Sequence, residues 1–430
     1  MTTRHKGKLP LEMYDKVNYM CRNYMDRMAR FELDYPFKID PEAFKVVTAR
    51  FLEKALVFRS ILAKSPITPF WRVSDYNIDD AVIVSQPEDL NAAREEFFSQ
   101  EIPTSSNLQI KIALFFHKET TCVCFIWNHM CMDGGGFKSF WSDFCGSYTD
   151  YINNAAAPVR FSDGSRAFSE VYSDLSKENK ARAKKLFAAC VSPKDKHRFP
   201  FSKGKENCGV VMVSKEIADE IFIAARNVCK KESATVNDLL IASYIDALGK
   251  LIDIKEDEAV SIAYAVDLRR YIKDTSRIGY TNHVSFAHCS LSQKGGTIIE
   301  TLRRVASINA KTKQDPFMGL HGLPLLNFGY KSMIYAQAEL VIKAFYKNPP
   351  LAVSNVGALD AAAFSLCGNE PCGVFVAGAA KNKPCAMMTA LTLKDNLFLS
   401  ICVRGNEEDR KILEKFFDEI EKSIIALSKP

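Results

Sequence analysis

Residues 121–137 read TCVCFIWNHMCMDGGGF, and the fold turns on how this stretch is read. From Thr121 to Trp127 the side chains are β-branched, aromatic or apolar, the composition of a buried strand. The run ends in Asn128 and His129. Asp133 follows four residues later, and three glycines, Gly134, Gly135 and Gly136, come directly after it. Imidazole is the side chain whose ordinary pKa lies nearest neutrality, so a histidine at the exit of a strand is a candidate general base. A strand end holds such a group more firmly than a free loop would. The glycines predict a sharp turn and a close approach of substrate to the backbone.

Working outward, residues 110–116 read as a second strand, and the polar residues 117–120 predict a hairpin turn into the 121–127 strand. The aromatic-rich residues 137–151 predict a helix, read as core packing. Further upstream, 44–62 has helical apolar spacing, and Asp40-Pro41 supplies an N-cap and a first-turn proline. In the second half, 209–213 reads as a strand, 215–229 and 233–252 as helices, and 260–266 as an apolar strand. The second of those helices is expected to end near Gly249. Later strands are expected at 351–354, 373–377, 385–392 and 397–403, and an amphipathic helix at 407–427. The intervening 153–208 is rich in turn signals and holds a basic helix at 177–185, read as a solvated face that could also dock an acidic carrier or cofactor phosphates. Mixed strands and helices predict an α/β (α+β) chain. The expected division is an N-terminal lobe over 1–165, a crossover segment over 166–207 and a C-terminal lobe over 208–430.

The 430 residues exceed one ordinary core and suit two lobes. Charged residues make up 25% and the formal charge is +6, a mild bias that argues against nucleic acid as partner. Thirteen cysteines, an odd number scattered through apolar runs, predict buried thiols in a reducing compartment rather than a disulfide framework. The opening MTTRHKGKLPLEMYDK has no apolar core, and no apolar run reaches the ~18 residues of a membrane span. The expectation is a cytoplasmic protein without a transmembrane segment.

The motif His129-Met130-Cys131-Met132-Asp133-Gly134 resembles the H-x-x-x-D-G signature of the chloramphenicol-acetyltransferase-like superfamily. That group includes stand-alone alcohol acyltransferases and the condensation domains of peptide synthetases. Further blocks resemble it in the same order. They are the opening segment 33–62 with Arg59, Val266-Asp267-Leu268-Arg269, Ile278-Gly279-Tyr280-Thr281-Asn282-His283, and Ser354-Asn355-Val356-Gly357, read as a turn. The resemblance implies two lobes, each a mixed sheet with helices, and an active-site tunnel between them. It implies that His129 is the base for acyl transfer from a thioester, acyl-coenzyme A or an acyl carrier protein, to a hydroxyl or amine of a small-molecule or lipid acceptor. It implies that Asp133 pairs with Arg269 to lock the histidine turn, with Gly134 as part of that support. Ser354, Asn355, the backbone near Gly357, and Asn282 are the candidates for oxyanion or substrate contacts. No permanently bound cofactor and no metal are implied, and stand-alone relatives can work as monomers. Two departures bear on this. Asn128 stands where condensation domains carry a first histidine, favouring a stand-alone enzyme, and the plant-type D-F-G-W-G block is missing.

Other readings attach to the same residues. His129, Cys131 and Asp133 alternate as strand ligands to a metal would, but no second ligand cluster lies near in sequence. Cys131 is read as wall or core rather than nucleophile. His283 could line the tunnel or serve the core, with His288 nearby. His5, His117 and His197 are read as solvent-facing, and His321 as a loop residue. The apolar 325–345 segment is read as a buried helix. A catalytically silent binding module of the same shell is the reading from a different class.

Overall fold

A computed structural model describes residues 7–185, 197–204, 209–321, 327, 329–330, 332–345 and 348–428. The first sheet has five strands in the order Gly373–Ala377, Met28–Tyr35, Thr120–Asn128, Ile110–His117 and Val82–Ser85. The hairpin expected at 117–120 joins Ile110–His117 to Thr120–Asn128 in antiparallel register. Helices Pro41–Lys54 and Gly134–Asn153 lie against one another, and the second covers one face of this sheet. Phe137 stacks on Trp127 at 4.8 Å and meets Phe125 at 5.2 Å, while Trp141 meets Phe125 edge-on at 4.7 Å. These rings are core, as their helical spacing predicts, and offset or edge-on ring pairs stabilise it beyond their buried area.

The second sheet has seven strands. Val284–Leu291, Val260–Asp267, Leu351–Leu359, Ala386–Leu393, Asn396–Gly405 and Lys381–Asn382 run in that order, with Gly209–Ile217 also pairing to Asn396–Gly405. The helices Val236–Ile252, Ile298–Gln314 and Glu407–Ser428 contact one another over it. A third, three-stranded sheet joins Lys8–Pro10, Phe70–Val73 and Ser60–Ala63. The α/β architecture of two mixed sheets with helices is the one expected.

The differences are local and physical. The helix expected over 44–62 stops at Lys54. Asp40 caps it by accepting from the backbone of Glu42 and Ala43, and the chain then turns through Leu56–Arg59 into the strand Ser60–Ala63. The helix expected over 233–252 starts at Val236, capped by Thr235, and runs past Gly249 to the expected Ile252, where Asp253 at φ +54° ends it. The strand Gly373–Ala377 belongs by sequence to the second half but pairs with Met28–Tyr35 in the first sheet. The two sheets therefore do not divide the chain at residue 208. Of the 325–345 segment, the helix Tyr335–Phe345 lies at the surface and exposes Leu340 and Val341, so it is not a buried helix; residues 325, 326, 328 and 331 lie outside the described residues. No described helix is long and apolar enough to cross a membrane, and the described cysteines are free thiols.

Candidate active site

His129 emerges where the Thr120–Asn128 strand ends. Its backbone N–H donates to the Arg27 carbonyl at 2.7 Å. Asn128 is buried and closes the turn from inside. Its Oδ1 accepts from Met130 N at 3.1 Å and its Nδ2 donates to Gln109 Oε1 at 2.9 Å. Trp127 Nε1 donates to the Met132 carbonyl at 2.9 Å. The turn is thus fixed by its own strand before the second half of the chain touches it.

Asp133 then N-caps the helix Gly134–Asn153, its Oδ1 accepting from Gly136 N at 2.7 Å. The same carboxylate meets Arg269 in a two-pronged pair, Nη2 to Oδ1 at 2.9 Å and Nη1 to Oδ2 at 3.1 Å. Oδ2 also accepts from His283 N at 2.7 Å. Burial alone would raise this carboxyl, but the Arg269 charge and these donors hold it below its usual range. Arg269 continues to the Thr281 carbonyl at 2.9 Å.

The three glycines form the first helical turn rather than a sharp bend, and none has positive φ. Their role is clearance. A Cβ on Gly135 would stand 2.7 Å from Arg269 Nη1, and one on Gly136 would stand 2.8 Å from the Thr281 carbonyl. Side chains there would force the clasp apart.

Asn282 decides the chemistry of the imidazole. Its Nδ2 donates to the carbonyls of His129 at 2.8 Å and Met130 at 3.1 Å. That fixes which end of the amide is oxygen, and this Oδ1 lies 3.1 Å from His129 Nδ1. The amide oxygen only accepts, so Nδ1 carries the proton and Nε2 keeps a bare lone pair. Burial lowers the His129 pKa below its ordinary value, Asp133 opposes that, and Lys381 adds to it.

A cavity of about 150 Å³ opens beside this ring. His129, Asp133, Gly134 and Ser354 all line it. Asn355 and Gly357 are not in its lining. Ser354-Asn355-Val356-Gly357 is not a free turn but a bulge inside the strand Leu351–Leu359, where the register slips between Asn355 and Gly357. Gly357 sits at φ +84°, and its N–H donates to Asn355 Oδ1 at 2.9 Å. Lys138 Nζ holds the bulged Val356 carbonyl at 2.8 Å. Asn282 spends both amide protons on backbone carbonyls, so it holds the His129 ring and turn, and its side chain offers no donor to the cavity.

Several residues without a sequence motif complete the site. Arg166 is ion-paired to Asp15 at 3.0 Å and donates to the Cys131 carbonyl at 3.1 Å, a second clamp on the histidine turn. Asp15 also accepts from Trp71 Nε1 at 2.9 Å. Lys381, buried, lines the cavity. Nothing in the local pattern around Ser165-Arg166 or Lys381-Asn382 separates these cations from surface ones.

Cys131 is fully buried and its thiol is pushed far up by burial, unsuited to nucleophilic attack. His283 is buried with neither ring nitrogen bonded among the described residues, and burial beside Arg269 pushes it down to about 4. His288 is half-buried on the strand Val284–Leu291, and His117 is exposed at its hairpin. His197 Nε2 reaches the Ala259 carbonyl at 3.2 Å and His321 Nε2 reaches Asp315 at 2.6 Å. His5 lies outside the described residues. The metal reading of His129, Cys131 and Asp133 finds no cluster. Among the described residues the group with ligand atoms close enough is Glu32, Cys122 and Cys124, all buried. There Glu32 is already held by Arg94 on both oxygens.

No protein-family model and no curated protein matches the sequence. The fold does match solved structures. Trichothecene 15-O-acetyltransferase from Fusarium sporotrichioides aligns over 98% of this chain and 95% of its own, with TM-score 0.74 at 12% identity. The first condensation domain of the CDA synthetase aligns over 97% and 96%, with TM-score 0.70 at 10% identity. The epimerization domain from the third module of tyrocidine synthetase B aligns over 98% and 96%, with TM-score 0.67 at 14% identity. Two mixed sheets meeting around the His129 turn thus give this chain the fold of these solved acetyltransferase and condensation-domain structures.

Proposed function

We propose that the chain is an acyltransferase that moves an acyl group from a thioester to a hydroxyl or amine, with His129 Nε2 as general base. The observation that carries this is the Asn282 contact, which commits Nδ1 to a hydrogen bond and leaves Nε2 for a proton arriving from the cavity. Such a base typically contributes ~10²–10⁴-fold. The burial-lowered pKa keeps it unprotonated at neutral pH. The fold shared with an acetyltransferase and with condensation domains is consistent with this chemistry.

In the reaction the acceptor's O–H or N–H gives its proton to Nε2 as its heteroatom attacks the thioester carbonyl. The tetrahedral intermediate collapses, the C–S bond breaks, and the imidazolium returns the proton to the leaving thiolate. Asp133 and Arg269 take no proton; their pair holds the turn. Ser354, which lines the cavity, is the side-chain candidate to steady the oxyanion, an interaction whose loss costs about 2.7–4 kcal/mol in well-studied enzymes. The cavity volume is similar to that of an engineered ~150 Å³ cavity that binds benzene, which fits an acyl group of a few carbons.

The donor is coenzyme A or the prosthetic arm of a carrier protein. A thiol-release screen decides between them, pairing acetyl- to hexanoyl-coenzyme A, and the same groups on a carrier, with a panel of alcohols and amines. Release that depends on acceptor and vanishes in folded His129→Ala is the expected result. Absence of release from every donor would favour a silent binding module.

A further inference from the structure

Lys381 is the cation of the cavity that the acyl-transfer step leaves unused. It is 8% exposed and lines the same space as His129. Its backbone is stitched in place. Ala380 N donates to Asp26 Oδ1, Asp26 N donates to the Ala380 carbonyl, and Asn382 N donates to the Tyr24 carbonyl. The main chain of Lys381 also bridges to Met25 and pairs with Val403.

The ammonium itself is poorly satisfied. Its hydrogen bond goes to Met25 Sδ at 3.2 Å, a weak acceptor. Asp26 is the carboxylate that acts on it, but Asp26 is fully engaged elsewhere. Its Oδ2 pairs with the buried Arg30, and its Oδ1 accepts from Met28 N and Ala380 N, both at 2.9 Å. Burial consequently lowers the Lys381 pKa, with Cys21, Cys385 and Asp26 opposing. The carboxylate in the lining, Asp133, is neutralised by Arg269. The cavity wall includes the apolar Val17, Met25, Val284, Phe286 and Met387, beside the uncharged polar Asn18, Asn348 and Ser354. A buried cation without a counter-charge is costly, and an anion entering the cavity removes that cost.

We propose that Lys381 forms an anion subsite in this cavity, and that the ligand it takes is a carboxylate on a small apolar body. Calling that ligand a substrate rests on the acyl-transfer reading; the binding does not. The carboxylate belongs either to the acceptor or to the far end of the acyl group.

Isothermal titration of the full chain with benzoate and with benzamide tests the subsite, because the pair differs in charge at nearly equal shape. The expected result is at least tenfold tighter binding of benzoate. The preference disappears in Lys381→Met, which keeps length and apolar bulk. It is retained in Lys381→Arg, and in His129→Ala, where catalysis is lost. Equal binding of the two probes, binding of neither, or a preference that survives Lys381→Met overturns the proposal. Should Lys381→Met fail to fold, the wild-type and Lys381→Arg titrations still decide.

Turnover then assigns the source. Faster thiol release from succinyl- than from butyryl-coenzyme A places the carboxylate on the acyl group. Faster release with 3-(hydroxymethyl)benzoate than with benzyl alcohol places it on the acceptor. A benzoate preference with no thiol release in any arm upholds the anion subsite and counts against acyl transfer.

Discussion

The ring of His129 and the amide of Asn282, 153 positions apart in sequence, meet at 3.1 Å between Nδ1 and Oδ1. The other end of the amide ties down the carbonyls of His129 and Met130. One side chain from the second half of the chain thus sets both the tautomer of the His129 ring and the path of the turn that carries it.

Removing that amide should misplace the base without removing it. Displacements of about 1 Å can cost ~10²-fold in rate. For Asn282→Ala the expected outcome is a kcat lowered roughly 10- to 100-fold, with KM nearly unchanged. Steady-state kinetics with the donor found by the thiol-release screen measures the split. A change confined to KM would assign Asn282 to substrate binding instead.

The Asp133–Arg269 pair is nearly buried, with side-chain exposures of 5% and 15%. Cutting one partner of such a pair costs about 3–5 kcal/mol, whereas replacing both by apolar groups is often tolerated. Asp133→Ala should lower the denaturation midpoint more than Asp133→Ala with Arg269→Met does. Asp133 also caps a helix, so the double variant should recover only part of the loss.

The pH dependence of turnover follows from the His129 shift. A base must be unprotonated to act, and burial moves this imidazole below its ordinary 6.5. Turnover should therefore fall on acidification with its limb below 6.5 and stay flat through neutrality. Lys381→Met removes one cation that lowers this pKa, so it should move the limb upward. A limb that stays put in the variant would contradict the electrostatic link.

Stability should titrate through His283. Its ring is buried without partners, close to Arg269, and stands at about 4 against an ordinary 6.5. Between these values the unfolded chain binds the extra proton, so stability falls as pH drops through that window. The full shift corresponds to roughly 3 kcal/mol. Denaturant melts from pH 7 to pH 4 should show this slope, flattened in His283→Leu.

Much of this was legible in the sequence because it is local. The 110–128 hairpin, the aromatic helix after it and the Asp40 cap follow from alternation, helical spacing and capping chemistry. What was illegible depends on partners distant in the chain. Gly134 to Gly136 look like a bend until Arg269 and Thr281 are seen pressing on them. Ser354 to Gly357 look like a turn until the neighbouring strand shows a slipped register. Gly373–Ala377 reads as a strand, but nothing in its own residues says that it joins Met28–Tyr35. Arg166 and Lys381 look like ordinary surface cations, and only the assembled walls half-bury the first and bury the second.

The proposed chemistry depends on one proton on one ring, and nitrogen NMR of the His129 imidazole at neutral pH reads it without knowledge of any substrate. The expected spectrum is that of a neutral ring with Nδ1 protonated and Nε2 bare, the pattern disappearing in Asn282→Ala. An Nε2–H tautomer, or an imidazolium at pH 7, would contradict it.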